Sequence, residues 1–503
     1  MVNHLFNFYK KHRAISNIAF FGIILRLLFI LFFADKYFMR ESIFFDADTA
    51  GWLQGLYNLN YFGEFTILPK FEFGSYSRMP GYTLFLAPAY YLVHFFDWFF
   101  GLNLVWGKPT LNEAWISVLK LTAFFQFILD IVNIYLVYFI SIKLTENKKV
   151  ALLAALLYCS YPFIIVWNPV CYSELSSVFF ALLAIYMLLY KEGTFGVALA
   201  GLFMGFSVLC RPQFALLAPL LVILIYSCYC AFNKAFFRKA LIYTMFFGIT
   251  YGAWPLRNYL RFNKIILTQD LRGYDNWNDD VLGFMQYIYS VKSEWQPQFD
   301  QILHNEKVDF PKESYLTVQD SLKLEKAVAL AKTCGRGFSE WKGYWKETIM
   351  WDDSLNDCSQ EIAKLFYELR QNQVKHNPYN FYVKVPLQNL KKALFKFGLL
   401  NSVNLTRKLG GYLFFYRSLL IILGLVGLVL MLMGKKEKHA AIWIGVFFIS
   451  LYFYLCFGTS PQCRNIEMRY FLQADILLLI PAAYFLEKLS IVKLFLTKLG
   501  KDD

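Results

Sequence analysis

Two carboxylates, Asp46 and Asp48, stand two residues apart in the stretch 44–88, and Arg78 follows just ahead of the break Pro80-Gly81. A carboxylate held at a membrane boundary can take a proton from an incoming hydroxyl group. An arginine nearby can grip a phosphate through two parallel hydrogen bonds from its planar fork. The same residues also admit a plainer use: Asp48 ahead of Thr49 fits the N-cap of a helix lying along the interface. Further polar residues fall at the ends of apolar runs: Glu174 after NPVCYS, Arg211 in CRP, Arg257 and Asn258 in WPLRNY, and Glu467, Arg469 and Tyr470 in IEMRY. Tyr82, in MPGY, lies beside Arg78. An arginine at such a place can also simply reach the lipid headgroups.

The segments that must position these groups are apolar. The 503 residues are 57% hydrophobic, 20% aromatic and only 17% charged, with a mean hydropathy of +0.40, which is the composition of a polytopic membrane protein. The net charge of +14 does not indicate nucleic acid, because Lys and Arg fall in short clusters between apolar runs rather than along one polar face. The nine Cys show no spaced framework, and the six His are scattered. There is no CxxC, HExxH or P-loop, so no metal ligand set is readable and the place of a divalent cation stays open.

Apolar runs lie at 16–34, 80–100, 116–141, 150–168, 174–190, 195–210, 213–231, 239–257, 412–433, 441–458 and 470–488. The basic head 1–15 precedes the first run with no cleavage site after it, so this run reads as a retained span with a cytoplasmic N-terminus. Basic clusters at Lys143/Lys148/Lys149, Lys191, Lys234/Arg238/Lys239 and 435–438 set the remaining orientation. Residue 35 is then outside and residue 143 inside, so only one of 80–100 and 116–141 crosses. The run 80–100, with Pro88, His94, Asp97 and many aromatics, suits an interfacial helix. Ten spans with both termini cytoplasmic result, and every polar group named above falls on the external face. Asp130 and Arg26 sit inside runs and are expected to pair.

The chain divides into a transmembrane catalytic module at 1–258 with a first external loop at 35–115, an external cap at 259–410, and further transmembrane helices at 411–503. Helical stretches are expected near 317–333 and 357–374, and Lys384, Lys391, Lys392 and Lys396 mark an amphipathic surface helix.

The stretches DADTAGWLQGLYNL, SRMPGYTLFLAPAYYL, KLTENKKVALLAALLYCSYPFIIVWNPVCYSE, GFSVLCRPQFALLAPL, WPLRNYLRFNKIILT and IEMRYFLQADILLLIPAAYFL, in this order, resemble the GT-C glycosyltransferases. That superfamily includes bacterial relatives of the protein O-mannosyltransferases and of the lipid A aminoarabinose transferase. The resemblance covers roughly 16–270 and 411–488. It implies an all-α polytopic membrane protein, a GT-C-like bundle with interfacial helices in the first external loop and a mostly helical external insertion. It also implies a hexosyl- or pentosyltransferase of cell-envelope glycan biosynthesis, in a bacterial inner membrane with its site on the periplasmic side. The donor would be a polyprenyl-phosphate sugar and the acceptor a lipid, glycan or protein. By the same resemblance Asp48 is similar to the first-loop acid, with Asp46 still eligible. Arg78 is similar to the basic residue before the Pro-rich helix and Glu174 to the acid opening a later span. Arg257 and Asn258 are similar to an external Arg-Asn pair, and Glu467, Arg469 and Tyr470 to the last external loop. Trp52 stands where the family often has Tyr. With no second carboxylate in a clear nucleophile role, a single displacement would invert the anomeric centre. A related polysaccharide polymerase and a non-enzymatic lipid-linked sugar transporter or flippase are the alternatives.

Overall fold

The computed structural model describes residues 12–67, 75–191, 193–229, 233–270, 277–345, 358–395, 405–459 and 466–489. Most of the basic head, Lys396 and part of the 270–280 segment lie outside them. The described residues form helices without a β-strand. They begin with α1 (Arg13–Phe38), which carries a π-helical turn at Phe29–Phe33. The first loop holds α2 (Ala47–Phe62) and α3 (Gly81–Phe100). Next come α4 (Glu113–Thr145), α5 (Lys148–Cys159), α6 (Pro162–Trp167), α7 (Ser173–Tyr190), α8 (Thr194–Cys210), α9 (Leu221–Tyr229) and α10 (Lys234–Phe262). The stretch between α10 and the last helices contains α11 (Asp279–Val291), α12 (Gln296–Leu303), α13 (Val318–Thr333), α14 (Arg336–Trp345), α15 (Ser359–His376) and α16 (Val385–Leu394). The chain then returns as α17 (Leu405–Met433), α18 (Lys438–Phe453) and α19 (Leu472–Lys488).

Short polar residues start several of these helices. Asn112, Asn147 and Asn233 each sit in extended backbone and accept hydrogen bonds from the first-turn amides of α4, α5 and α10. Six segments among the described residues are long and apolar enough to cross a membrane: Arg13–Phe38, Glu113–Thr145, Ser173–Tyr190, Lys408–Met433, Lys438–Gly458 and Met468–Lys488. The ten expected from apolar runs are therefore not reached by length and composition. The run 150–168 breaks at Ser160 and Tyr161, because Pro162 opens a new helix. The run 213–231 yields a 3₁₀ turn at Pro212–Phe214 and only nine residues of α9. α8 is 17 residues long, and α10 dilutes its apolar content with Arg257 and Arg261. α3 is not among the six.

Two buried ion pairs tie the bundle. Arg26 meets Asp130 with both side chains fully buried, as their places inside apolar runs led one to expect. Tyr158 Oη and Asn168 Nδ2 donate to the same carboxylate at 2.8 and 2.7 Å, so its lone pairs are used. Arg417 of α17 meets Asp475 of α19 at 2.7 Å, and Tyr161 and Tyr452 also donate to that carboxylate. Between these helices a Cβ on Gly427 would collide with the Pro481 carbonyl, so glycine permits the close approach.

Outside the bundle, α15 packs on α11 and α13, and α14 on α11, around Phe284, Ile288, Phe338 and Phe366. The stretches expected to be helical near 317–333 and 357–374 are α13 and α15. Cys334 and Cys358 form a disulfide, a correction to the expectation that the cysteines make no framework. The amphipathic α16 docks back on the bundle, where Arg417 Nη1 and Ser418 Oγ donate to the carbonyls of Ala393 and Leu394.

Candidate active site

The first loop is clipped to the turn before α7. Cys171 N–H donates to Phe44 O at 3.0 Å, and Thr49 Oγ1 donates to Cys171 O at 3.1 Å. This clip sets the first turn of α2, which carries Asp48, beside the first turn of α7, which carries Glu174. Gly81 lies so tightly against the backbone of Leu209 and Cys210 that any Cβ would collide there. That contact brings the start of α3, and Arg78 just before it, to the end of α8 and Arg211. Gly51 completes the arrangement: a Cβ at that position would stand 2.8 Å from Arg78 Nε, so its absence lets the guanidinium lie along α2. The turn Met468–Phe471 ahead of α19 supplies Arg469.

The result is a chain of alternating charges. Arg78 Nη2 donates to Asp48 Oδ1 at 2.7 Å, and Arg469 Nη2 to Asp48 Oδ2 at 3.2 Å. Arg469 Nη1 stands 3.3 Å from Glu174 Oε1, which Arg211 Nη2 also engages. Arg469 Nε donates to Glu467, and so does Tyr470 Oη, at 2.9 Å. Aromatic faces back the cations: Trp52 under Arg78 at 4.9 Å, Tyr172 under Arg469 at 4.8 Å and Tyr470 under Arg211 at 5.3 Å. Burial decreases outward, from Glu174 at 5% side-chain exposure through Arg469 at 12% to Asp48 at 27%.

Burial alone would raise the Asp48 pKa, but the charges of Arg78, Arg469 and Arg211 outweigh it and hold this carboxyl well below the usual carboxylate range. Asp48 is therefore an ionised acceptor and, with both arginines on it, a weak base. A cavity of about 40 Å³ opens beside the chain, lined among others by Trp52, Arg78, Arg211, Gln213 and Gln269. Among the described residues, Arg211 Nε and Gln213 Oε1 are buried at this cavity, and Glu174 Oε2 on the chain beside it, without a hydrogen-bond partner. Such groups are open to a polar partner, water included. No three His, Cys, Asp or Glu side chains among the described residues converge for a metal ion, since these carboxylates face arginines instead.

Of the residues singled out in the sequence, the structure brings together Asp48, Arg78, Glu174, Arg211, Glu467, Arg469 and Tyr470. Asp46 lies at the edge of this group, paired with Arg40 at 2.6 Å and hydrogen-bonded to Tyr172. Three others stay out. Tyr82 is fully buried and donates to Gln126, whose amide in turn holds Asn168 O and Val170 O. Arg257 spends its fork on the carbonyls of Ser75 and Phe65 at 2.6 and 2.9 Å and on Asn258 Oδ1, so this pair anchors the first loop to α10. Tyr172 and Gln213 escaped the sequence reading; each neighbours a residue it named, Glu174 and Arg211, and has no charge of its own to draw notice.

No family model matches the chain, and no curated protein matches it significantly. Solved structures do. The Archaeoglobus fulgidus oligosaccharyltransferase in its apo form matches over 98% of this chain and 52% of its own, at 15% identity and a TM-score of 0.48. The same archaeal enzyme, AglB, in complex with an inhibitory peptide and a dolichol-phosphate matches at 14% identity, a TM-score of 0.46 and the same coverage. ArnT from Cupriavidus metallidurans, bound to undecaprenyl phosphate, matches over 93% of this chain and 77% of its own, at 10% identity and a TM-score of 0.36. The chain spans about half the length of the oligosaccharyltransferase structures.

Proposed function

We propose that this protein is a GT-C-type glycosyltransferase that moves a sugar from a polyprenyl-phosphate donor to a lipid, glycan or protein hydroxyl at the external membrane face, with inversion. The observation that carries this reading is the Asp48 carboxylate held between Arg78 and Arg469 where several helix ends meet. The donor's phosphate competes with Asp48 for those two cations. Once Arg78 and Arg469 turn to the phosphate, Asp48 loses its counter-charges and gains an anionic neighbour, and both changes raise its basicity. It then accepts the proton of the acceptor hydroxyl as that oxygen attacks C1. The C1–O bond to phosphate breaks, its electron pair leaves with the phosphate, and the arginines offset the charge that appears. The Cys334–Cys358 disulfide in the helical unit supports an oxidising, external compartment.

Lipid extraction of the purified protein followed by mass spectrometry tests the donor class. The parent protein, supplied with undecaprenyl phosphate, is expected to retain it, and Arg469→Gln to lose most of it; a parent that retains none overturns the donor assignment. Arg469→Lys keeps the charge and loses the fork. Its transfer rate is expected to fall by about 2 to 4 kcal/mol of transition-state stabilisation, on the order of 30- to 1000-fold. An arginine that only reaches headgroups would tolerate Lys at the parent rate.

A further inference from the structure

A second cavity lies at the opposite end of the bundle. α4 runs from Gln126, near the first-loop clip, to Lys143; α7 from Glu174 to Tyr190; and α10 from Arg257 back to Lys239. Each of these intervals covers about 25 Å at 1.5 Å per residue. At their far ends is a space of about 850 Å³. Such a volume falls within the roughly 300–1,000 Å³ of small-molecule and cofactor sites.

The lining has two chemistries. Ile142, Leu188, Leu189 and Ile225 make an apolar wall continuous with the interior of the bundle, while Lys143, Lys148 and Lys239 supply three positive charges. Two tyrosines join these halves: the Lys143 ammonium stands 5.8 Å from the Tyr190 ring centre, and that of Lys239 5.4 Å from the Tyr226 ring centre. Tyr190 is itself fixed, because its hydroxyl donates to Phe139 O at 2.7 Å. The one acid in the lining, Glu146, is engaged by Lys436 at 2.8 Å, and with three lysines against it the lining is net positive. A basic rim over an apolar wall, between helix ends on the side where positively charged loops collect, matches an anionic headgroup with its acyl chain.

We infer that this cavity binds an anionic glycerophospholipid of the leaflet opposite the Asp48 cluster, with its phosphate among Lys143, Lys148 and Lys239 and acyl chain along the Ile142, Leu188 and Ile225 wall. None of these residues belongs to the proposed transfer site, so the two readings stand or fall separately.

Native mass spectrometry of the full chain, released from micelles containing phosphatidylglycerol or phosphatidylcholine, tests the inference. The parent is expected to retain phosphatidylglycerol and not phosphatidylcholine. The combined Lys143→Gln, Lys148→Gln and Lys239→Gln variant, which removes the whole basic rim, is expected to bind it on the order of 100-fold more weakly. Ile142→Trp, which narrows the cavity without touching charge, is expected to lose the adduct too. The combined Lys234→Gln, Lys435→Gln and Lys438→Gln variant removes as much charge outside the lining and is expected to keep it. Equal retention of both lipids by the parent, or equal retention of phosphatidylglycerol by all variants, overturns the site. Displacement of the lipid by millimolar inorganic phosphate overturns the lipid assignment, since a free anion would then suffice.

Discussion

An Asp48→Asn variant is expected to lose about 10²- to 10⁴-fold in transfer rate while holding polyprenyl phosphate at least as tightly as the parent. The amide keeps the size of the carboxylate and has no basicity, so the proton of the acceptor hydroxyl has nowhere to go. It also releases Arg78 and Arg469 from an internal carboxylate that otherwise competes with the phosphate. This split, slower chemistry with equal or tighter binding, is what separates the proposed role from simple helix capping. Single-turnover transfer and lipid retention measured on one preparation check it. Near-parent turnover in D48N with loss in D46N moves the base to Asp46, and near-parent turnover in both removes the aspartate base. The pH behaviour follows from the depressed Asp48 pKa. The contribution of its ion pairs to stability is present above the ordinary Asp value of about 3.9 and is lost as pH falls through the lower native value. Between pH 5 and 8, about the physiological range, Asp48 of the empty protein stays ionised.

Arg417→Ala is expected to destabilise the bundle by about 3 to 5 kcal/mol. Arg417 and Asp475 are fully or almost fully buried, and removing the cation leaves Asp475 charged among apolar helices with only the hydroxyls of Tyr161 and Tyr452 to satisfy it. The same guanidinium donates to Ala393 O, so its loss also loosens the seat of α16 on the bundle. Unfolding in mixed micelles by titration with a denaturing detergent measures the effect. A combined Arg417→Met and Asp475→Leu replacement is expected to recover much of it, because neither charge is then stranded. A midpoint for R417A indistinguishable from the parent would show that water reaches Asp475 or that its carboxylate takes up a proton.

The membrane class and the convergence of Asp48, Arg78, Glu174, Arg211 and Arg469 were legible because charges at the ends of apolar runs are costly and therefore few. The pairing of Arg26 with Asp130 was legible for the same reason. Arg257 shows where that logic stops. It sits at the end of an apolar run, as Arg469 does, and nothing local distinguishes an arginine that reaches a carboxylate from one that takes loop carbonyls. Tyr82 was equally opaque, since whether a tyrosine hydroxyl meets a ligand or Gln126 depends on a helix 44 positions further along. The span count failed at Tyr161-Pro162, where an apolar run conceals a helix break. The Cys334–Cys358 bridge joins the end of α13 to the start of α15, a pairing that no spacing among the nine cysteines announces.

Arg469 and Asp48 are 421 positions apart, whereas Arg78 is only 30 from the same carboxylate. A chain threaded into the membrane in order of synthesis therefore acquires the two halves of the clamp at very different times. The early half joins two residues of the first loop, whose placement also rests on Cys171, Leu209 and Cys210, so it is complete once α8 has been made. The late half arrives with α19, the last described helix to be inserted, which also brings Asp475 to Arg417. The candidate site and the bundle are thus completed by the same helix, and a chain halted before it lacks both Arg469 at Asp48 and Asp475 at Arg417.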